Sequence, residues 1–251
     1  MAFSIELLTL FFFAAVIAGC IDAIAGGGGL ITIPALLMCG VPPAQAIASN
    51  KVGAVGGSMA STLHFVRQGH IDLRSSKLMI ASSFVGSFLG SMLLTRIDSS
   101  FLAVIIPFLL IGFSLYFLFS PNLGELDRKH LISGMAYSLF VASVIGFYDG
   151  FFGPGTGAFF AISFTLLLGY NLIKATAYAK LLNFCSNSAA LIYFIMSGSI
   201  IWEVGIAMFF GQIIGGAIGA RLVVNNGKML IKIVMVVMTI GVSVKMLAFN
   251  A

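Results

Sequence analysis

Apolar residues in this chain come in long blocks, parted by proline, glycine and charged side chains. The blocks fall at about 4–25, 30–40, 43–67, 75–95, 100–119, 130–152, 156–169, 171–197, 202–222 and 229–249. A helix needs about 20 predominantly apolar residues to cross the hydrocarbon of a bilayer, so most of these blocks are predicted as spanning helices. The second and seventh are shorter. They are predicted as half-helices, re-entrant segments or spans across a locally thin region.

The blocks form two similar sets. Gly19-Cys20-Ile21-Asp22 matches Gly146-Phe147-Tyr148-Asp149 at an offset of 127, and Gly26 and Gly28 then fall on Gly153 and Gly155. A two-residue insertion moves the offset to 129. Gly40 then pairs with Gly169, Lys51 with Lys180, Phe65 with Phe194, Gly69 with Gly198, Gly86 with Gly215 and Gly90 with Gly219. The pattern is that of an internal duplication, with one repeat at 1–125 and the second at 126–251. Each repeat holds five blocks, an odd number, so the second is expected upside down relative to the first. Charge supports this arrangement. With the Arg67–Lys77 loop in the cytoplasm, Arg67, Arg74, Lys77, Arg128, Lys129, Lys174, Arg221, Lys228 and Lys232 all lie at cytoplasmic ends, and only Arg96 and Lys245 lie outside. Lys and Arg gather on the cytoplasmic side of membrane proteins, and both termini are then expected outside. The expected fold is an all-α integral membrane protein of two inverted five-segment halves, each with a short or re-entrant helix after a glycine-rich break. Inverted repeats recur among secondary transporters, whose sites lie near the midplane where interrupted helices meet.

Composition agrees: the chain is 60% hydrophobic and 8% charged, against about 25% charged in soluble domains. No Lys or Arg precedes the first block and Glu6 is its only charge, the mark of a permanent span rather than a cleaved signal peptide. Cys20, Cys39 and Cys185 are odd in number and lack framework spacing, and read as small buried apolar residues. The net charge of +5 reports orientation in a bilayer; no nucleic-acid partner is expected.

The candidate chemistry lies where polar residues enter apolar sequence. Lys51 stands about eight residues into its block and Lys180 about nine into its own, a depth of roughly 12 Å or more at 1.5 Å per residue. A lysine that deep costs roughly 2.5–3.5 kcal/mol to insert and is functional by default. One reading is internal ion pairing, Lys51 with Asp22 and Lys180 with Asp149. The other is a pair of cationic groups facing an anionic substrate, and both hold if the aspartates release the lysines during a cycle. Ser49, Asn50, Ser58 and Ser61 surround the first lysine in sequence, and Asn183, Ser186, Asn187 and Ser188 the second. Singly such residues are common glue between membrane helices; together they form a polar lining with donors for oxyanion oxygens. The turns Gly26–Gly29 and Gly153-Pro154-Gly155-Thr156-Gly157 each precede a short helix. Exposed N–H groups there would attract anions, with Thr156 as an N-cap; equally, the glycines permit close backbone packing. The candidate substrate-binding residues are Lys51, Lys180, Asn50, Ser49, Asn183, Asn187, Gly28, Gly29, Gly155 and Thr156, with Asp22 and Asp149 as ion-pair or coupling residues. Gly86-x-x-x-Gly90 and Gly211-x-x-x-Gly215-x-x-x-Gly219 are helix-packing faces expected to join the halves. His64, His70 and His130 lack metal-ligand spacing, no Gly-Lys-Ser/Thr follows the four glycines, and no nucleophile–base arrangement is present. Neither a metal, another cofactor, ATP-driven transport nor an enzymatic activity is expected.

The run GCIDAIAGGGGLITIPALL, the following Pro-Pro, Ser49-Asn50-Lys51 and Phe65-x-x-x-Gly69 resemble the TauE/SafE sulfite-exporter family, and within it the YfcA-like branch of the bacterial inner membrane. GFYDGFFGPGTGAF and Lys180-x-x-Asn183 extend the resemblance into the second half. The resemblance implies movement of sulfur-containing anions such as sulfite and sulfonates across the cytoplasmic membrane, commonly outward.

The expected function is therefore a secondary transporter of a small anion, sulfur-containing by resemblance, working by alternating access in the bacterial inner membrane. The alternatives are a channel-like anion facilitator or an accessory subunit of a larger membrane complex. The expected partners are the anion and the lipid bilayer, and homo-oligomerisation stays open. Reporter fusions at the two termini test the topology: both should report from outside the cytoplasm, and a cytoplasmic signal at either end refutes the ten-segment scheme.

Overall fold

A computed structural model describes residues 3–97, 101 and 129–249, with side chains through residue 225. Apart from Phe101, the block expected at 100–119 lies outside the described residues. The helices in chain order are α1 (Ile5–Ala25), α2 (Gly29–Met38), α3 (Pro43–Arg67), α4 (Lys77–Leu94), α5 (Gly134–Phe151), α6 (Thr156–Leu167), α7 (Leu172–Ser197) and α8 (Trp202–Phe249). α5 widens into a π-helical stretch over Tyr137–Ala142. The blocks expected separately at 202–222 and 229–249 are one helix. Residues 223–228 contain no proline, and a glycine alone costs a helix only about 1 kcal/mol, so nothing there forces a break.

Helix ends follow local chemistry. Ser4 caps α1 by accepting from the Leu7 N–H at 3.3 Å, and Asn171 caps α7 by accepting from the Lys174 N–H at 3.0 Å. Pro42 precedes α3, and Pro43 opens it, where a missing N–H costs nothing. Three of the glycine pairs matched in sequence, Gly26 with Gly153, Gly40 with Gly169 and Gly69 with Gly198, have positive φ at both members. Side chains rarely adopt that conformation, which accounts for the recurrence of glycine there.

The halves interlock rather than lie side by side. α4 packs on α5, and α8 packs on α1. A Cβ on Gly86 would lie 2.2 Å from the Ser143 carbonyl oxygen, and one on Gly215 would lie 2.0 Å from that of Val16. One on Gly90 would lie 2.0 Å from the Phe147 oxygen, and one on Gly219 would lie 2.4 Å from the Cys20 oxygen. Ser143 and Phe147 stand 127 residues beyond Val16 and Cys20, so these contacts repeat at the offsets of the sequence match. The two GxxxG faces therefore do join the halves, as expected.

Close helix approach is reinforced by hydroxyls every fourth residue along α4. Ser83 donates to the Leu182 carbonyl at 3.3 Å, Ser87 to that of Ser186, and Ser91 to that of Gly150 at 3.1 Å. The outer surface has the opposite character. Leu10, Phe13 and Ile17 on α1, Phe140 and Val144 on α5, and Ile206, Phe210, Ile214 and Ile218 on α8 are exposed. Lipid tails are as apolar as these side chains, so this surface needs no further cover. By length and hydropathy α1, α4, α5, α7 and the Trp202–Asn225 part of α8 can cross a membrane. α3 has the length without the hydropathy, because it carries Ser49, Asn50 and Lys51.

The basic segments share one end of the bundle. The Asp72 N–H, in the loop after α3, donates to the Tyr178 hydroxyl at 3.1 Å. Lys174 lies 4.2 Å over the Tyr170 ring, which also meets His130 at 6.0 Å.

Gly150 sets the tightest of these contacts, where a Cβ would lie 1.8 Å from the Ser87 carbonyl oxygen. Gly150→Ala should lower stability by about 3 kcal/mol or more, at or above the upper range for overpacking, seen in detergent as a lower melting temperature or as aggregation. Gly134→Ala, where the nearest atom is 3.9 Å away, should melt like the parent.

Candidate functional site

The two glycine breaks, between α1 and α2 and between α5 and α6, meet backbone to backbone. A Cβ on Gly26 would lie 2.2 Å from the Ala158 nitrogen, and one on Gly29 would lie 3.3 Å from the Pro154 Cα. Close packing is thus one role of these glycines. A second is to admit the lysines. A Cβ on Gly153 would lie 2.9 Å from the Lys51 Nζ, and one on Gly157 would lie 2.8 Å from the Lys180 Nζ. Both ammonium groups, delivered by α3 and α7, abut the same Gly153–Gly157 turn.

Each lysine is paired, but not as expected. The Lys51 Nζ lies 2.8 Å from the Asp149 Oδ1, and the Lys180 Nζ lies 2.8 Å from the Asp22 Oδ2. The expected partners, Asp22 for Lys51 and Asp149 for Lys180, are exchanged. The cause is the interlock: α3 packs against α7, and α1 touches α6 and α7, which brings each carboxylate to the lysine of the opposite half. Both ion pairs therefore cross between the halves. Lys51, Lys180 and Asp149 are 1% exposed, and Asp22 is 16% exposed.

Polar neighbours complete the first pair. Lys51 also donates to the Asn187 Oδ1 at 2.8 Å. The second oxygen of Asp149 accepts from the Ser186 hydroxyl and from the Asn183 amide at 3.5 Å. Around the second pair, the Gly28 N–H donates to the Asp22 Oδ1 at 3.2 Å. Asn50 sits one layer away and accepts from the Thr32 hydroxyl at 2.6 Å.

Other expected site residues are used elsewhere. Ser49 accepts from the Ile201 N–H at 2.9 Å and anchors the entry to α8. Thr156 is not the N-cap of α6: Gly155, with φ of 81°, holds that position, and the Thr156 hydroxyl donates to the Gly153 carbonyl at 2.6 Å. With Gly155 as the cap the helix starts at Thr156 itself, one residue earlier than a Thr156 cap would allow. Ser58 and Ser188 donate within their own helices, and Ser61 also bridges to the Gly216 carbonyl at 3.2 Å. Among the buried polar residues that escaped the sequence reading are Thr32 and Gln212. Gln212 packs into the space that three glycines clear: a Cβ on Gly53 would lie 2.8 Å from its Nε2, one on Gly57 3.0 Å from its Oε1, and one on Gly19 2.8 Å from its Cα. An amide lodged between Gly211 and Gly215 in an apolar block was the available signal. Among the described residues no group of three or more His, Cys, Asp or Glu could hold a metal.

Chemically, the centre is a set of buried cationic and N–H donors already holding carboxylates. A small oxyanion offers the same oxygens and the same charge.

The crossed pairing has a direct test. Lys51→Ala strands a buried carboxylate and should cost about 3–5 kcal/mol, seen as a lower melting temperature. Adding Asp149→Ala should recover most of that loss, while adding Asp22→Ala should lower stability further. The reverse pattern would restore the within-half pairing.

A model of the family described as sulfite exporter TauE/SafE matches residues 11–246. The chain is 46% identical over 246 residues to a probable membrane transporter protein of Haemophilus influenzae, covering 98% of this chain and 96% of that one. It is 47% identical over 241 residues to the probable membrane transporter protein YfcA of Escherichia coli K12, covering 96% and 90%. Identity to the probable membrane transporter protein ORF9 of a Sinorhizobium species is 43% over 243 residues, covering 97% and 93%. No solved structure matches. With crossed lysine–aspartate pairs buried inside an apolar helical shell, and with relatives aligned along nearly its whole length, the chain belongs to the TauE/SafE family of membrane transporters.

Proposed function

We propose that this protein is a secondary transporter that carries a small sulfur-containing anion, sulfite or a sulfonate, outward across the bacterial inner membrane by alternating access. The observation that carries the proposal is the crossing of both buried ion pairs between the halves. Rocking one half against the other acts on the pairs that tie them, Lys51–Asp149 and Lys180–Asp22, and requires at least one of them to open. An anion that competes for a lysine loosens that tie and links binding to movement. Changes of state need a ligand with different affinities for the two states, and this competition provides the difference.

The matched contacts of α4 with α5 and of α8 with α1 fit two halves related by an inverted pseudo-twofold, an arrangement suited to rocking about a fixed midplane site. The shared basic end fits a cytoplasmic face. With the interior negative, each 100 mV favours exit of a monovalent anion by about 2.3 kcal/mol, so export needs no further energy source. Proton coupling, where present, would run through Asp22 and Asp149. The sulfur chemistry rests on the family's description as a sulfite exporter.

Thermal stabilisation of the purified protein tests this. A ligand at about 100 times its dissociation constant adds roughly 2.7 kcal/mol. Sulfite or an organosulfonate should raise the melting temperature, and Lys180→Ala should remove the response. Indifference to every anion in the panel would overturn the proposal.

A further inference from the structure

The two ion pairs occupy matching positions in the duplication but are built differently. Asp149 is 1% exposed, and its pair is tied by Asn187, Ser186 and Asn183. The positions in the first half that match Asn183, Ser186 and Asn187 are Ala54, Gly57 and Ser58. Ala54 and Gly57 carry no polar side-chain atom, and Ser58 turns its hydroxyl to the Ala54 carbonyl. Asp22 is accordingly held by Lys180 and the Gly28 N–H, and is 16% exposed.

This difference decides which pair can open. Pulling Asp149 off Lys51 strands a carboxylate, an amide and a hydroxyl in the buried interior, and burying unpaired polar groups costs more than any one bond returns. Pulling Asp22 off Lys180 releases a carboxylate that already reaches the surface of the protein. The vacated place keeps its own recognition chemistry: an ammonium from α7, 1% exposed, and the N–H at the start of α2. Lys180 need never stay unpaired, because the incoming ion replaces one negative group with another.

We propose that Lys180–Asp22 is the exchangeable pair, in which a small oxyanion takes the place of the Asp22 carboxylate on the Lys180 ammonium and the Gly28 N–H, while Lys51–Asp149 stays closed as a brace between the halves. This rests on the anion-transport reading above and assigns Asp22 a specific role, that of an internal competitor occupying the site in the unliganded protein. Wild-type affinity is then reduced by the fraction of time that Asp22 holds the lysine.

The test titrates sulfite and methanesulfonate into the purified full-length chain in detergent, comparing wild type with Asp22→Asn and Asp149→Asn. Asp22→Asn removes the competing charge with little change of shape. It should stay folded and bind a probe about tenfold more tightly or better, the effect of removing a competitor that holds the site most of the time. Asp149→Asn should lower the melting temperature and give no tightening. Unchanged or weaker binding by folded Asp22→Asn overturns the inference, as does tightening in Asp149→Asn, which would exchange the roles. An Asp22→Asn chain that does not fold shows the pair to be structural and overturns it too. Should wild type bind a probe and Asp22→Asn fail to improve on it, only this inference falls. Should wild type and both variants ignore both probes, the anion-transport reading falls with it.

Discussion

Two lysines and two aspartates in the interior, each bonded to a partner from the other half, govern what the remaining sequence has to do. Desolvating four charges is costly enough that a buried pair is seldom a net source of stability. The surrounding structure must therefore hold each pair at bonding distance and keep the lipid away. Glycines at the break between α5 and α6 give both ammonium groups room against bare backbone, and α3 and α7, the helices that deliver them, carry the amides and hydroxyls. α3 gives up the hydropathy of a free-standing span to do so. It depends on its neighbours for a place in the membrane, as an apolar helix would not.

The apolar shell and the close-packed interior divide the remaining work. Among lipid tails, apolar side chains gain little by turning inward, so cohesion comes from contact between backbones and from hydroxyl-to-carbonyl bonds. Gly86, Gly90, Gly215 and Gly219 bring helices of different halves within reach, and Ser83, Ser87 and Ser91 bond across the gap. A fold held in this way has many short directional contacts, which suits the proposed exchange of one packed arrangement for another better than a single greasy core would.

Much of this was legible in the residues because few side chains can satisfy the constraints involved. Positive φ selects glycine, so the match between the halves shows at Gly26, Gly40, Gly69 and their counterparts. A lysine deep in hydrocarbon is expensive, so Lys51 and Lys180 mark the candidate site. What sequence could not show was partnership. Asp22 precedes Lys51 by a short stretch, and nothing in that spacing reveals that the interlock gives each lysine the far aspartate. Ser49 went astray for a related reason: successive residues on a helix are turned by about 100°, so two residues from Lys51 faces another way, toward Ile201. Thr32 and Gln212 lay in apolar blocks as single polar residues, and only their placement among glycines and amides reveals their use. The pause expected between 222 and 229 failed because glycine and asparagine weaken a helix without ending it.

The exchange of helices between halves also bears on how the chain is made. α1 is synthesised well before α8, the helix against which its small-residue face packs. Lys51 likewise enters the bilayer long before Asp149 has been translated. During synthesis the early helices must wait in the membrane with these contacts unmade. Asp22 is then the carboxylate at hand for Lys51. The first half is in this sense an unfinished surface, and the contacts described here can close only once α8 has arrived.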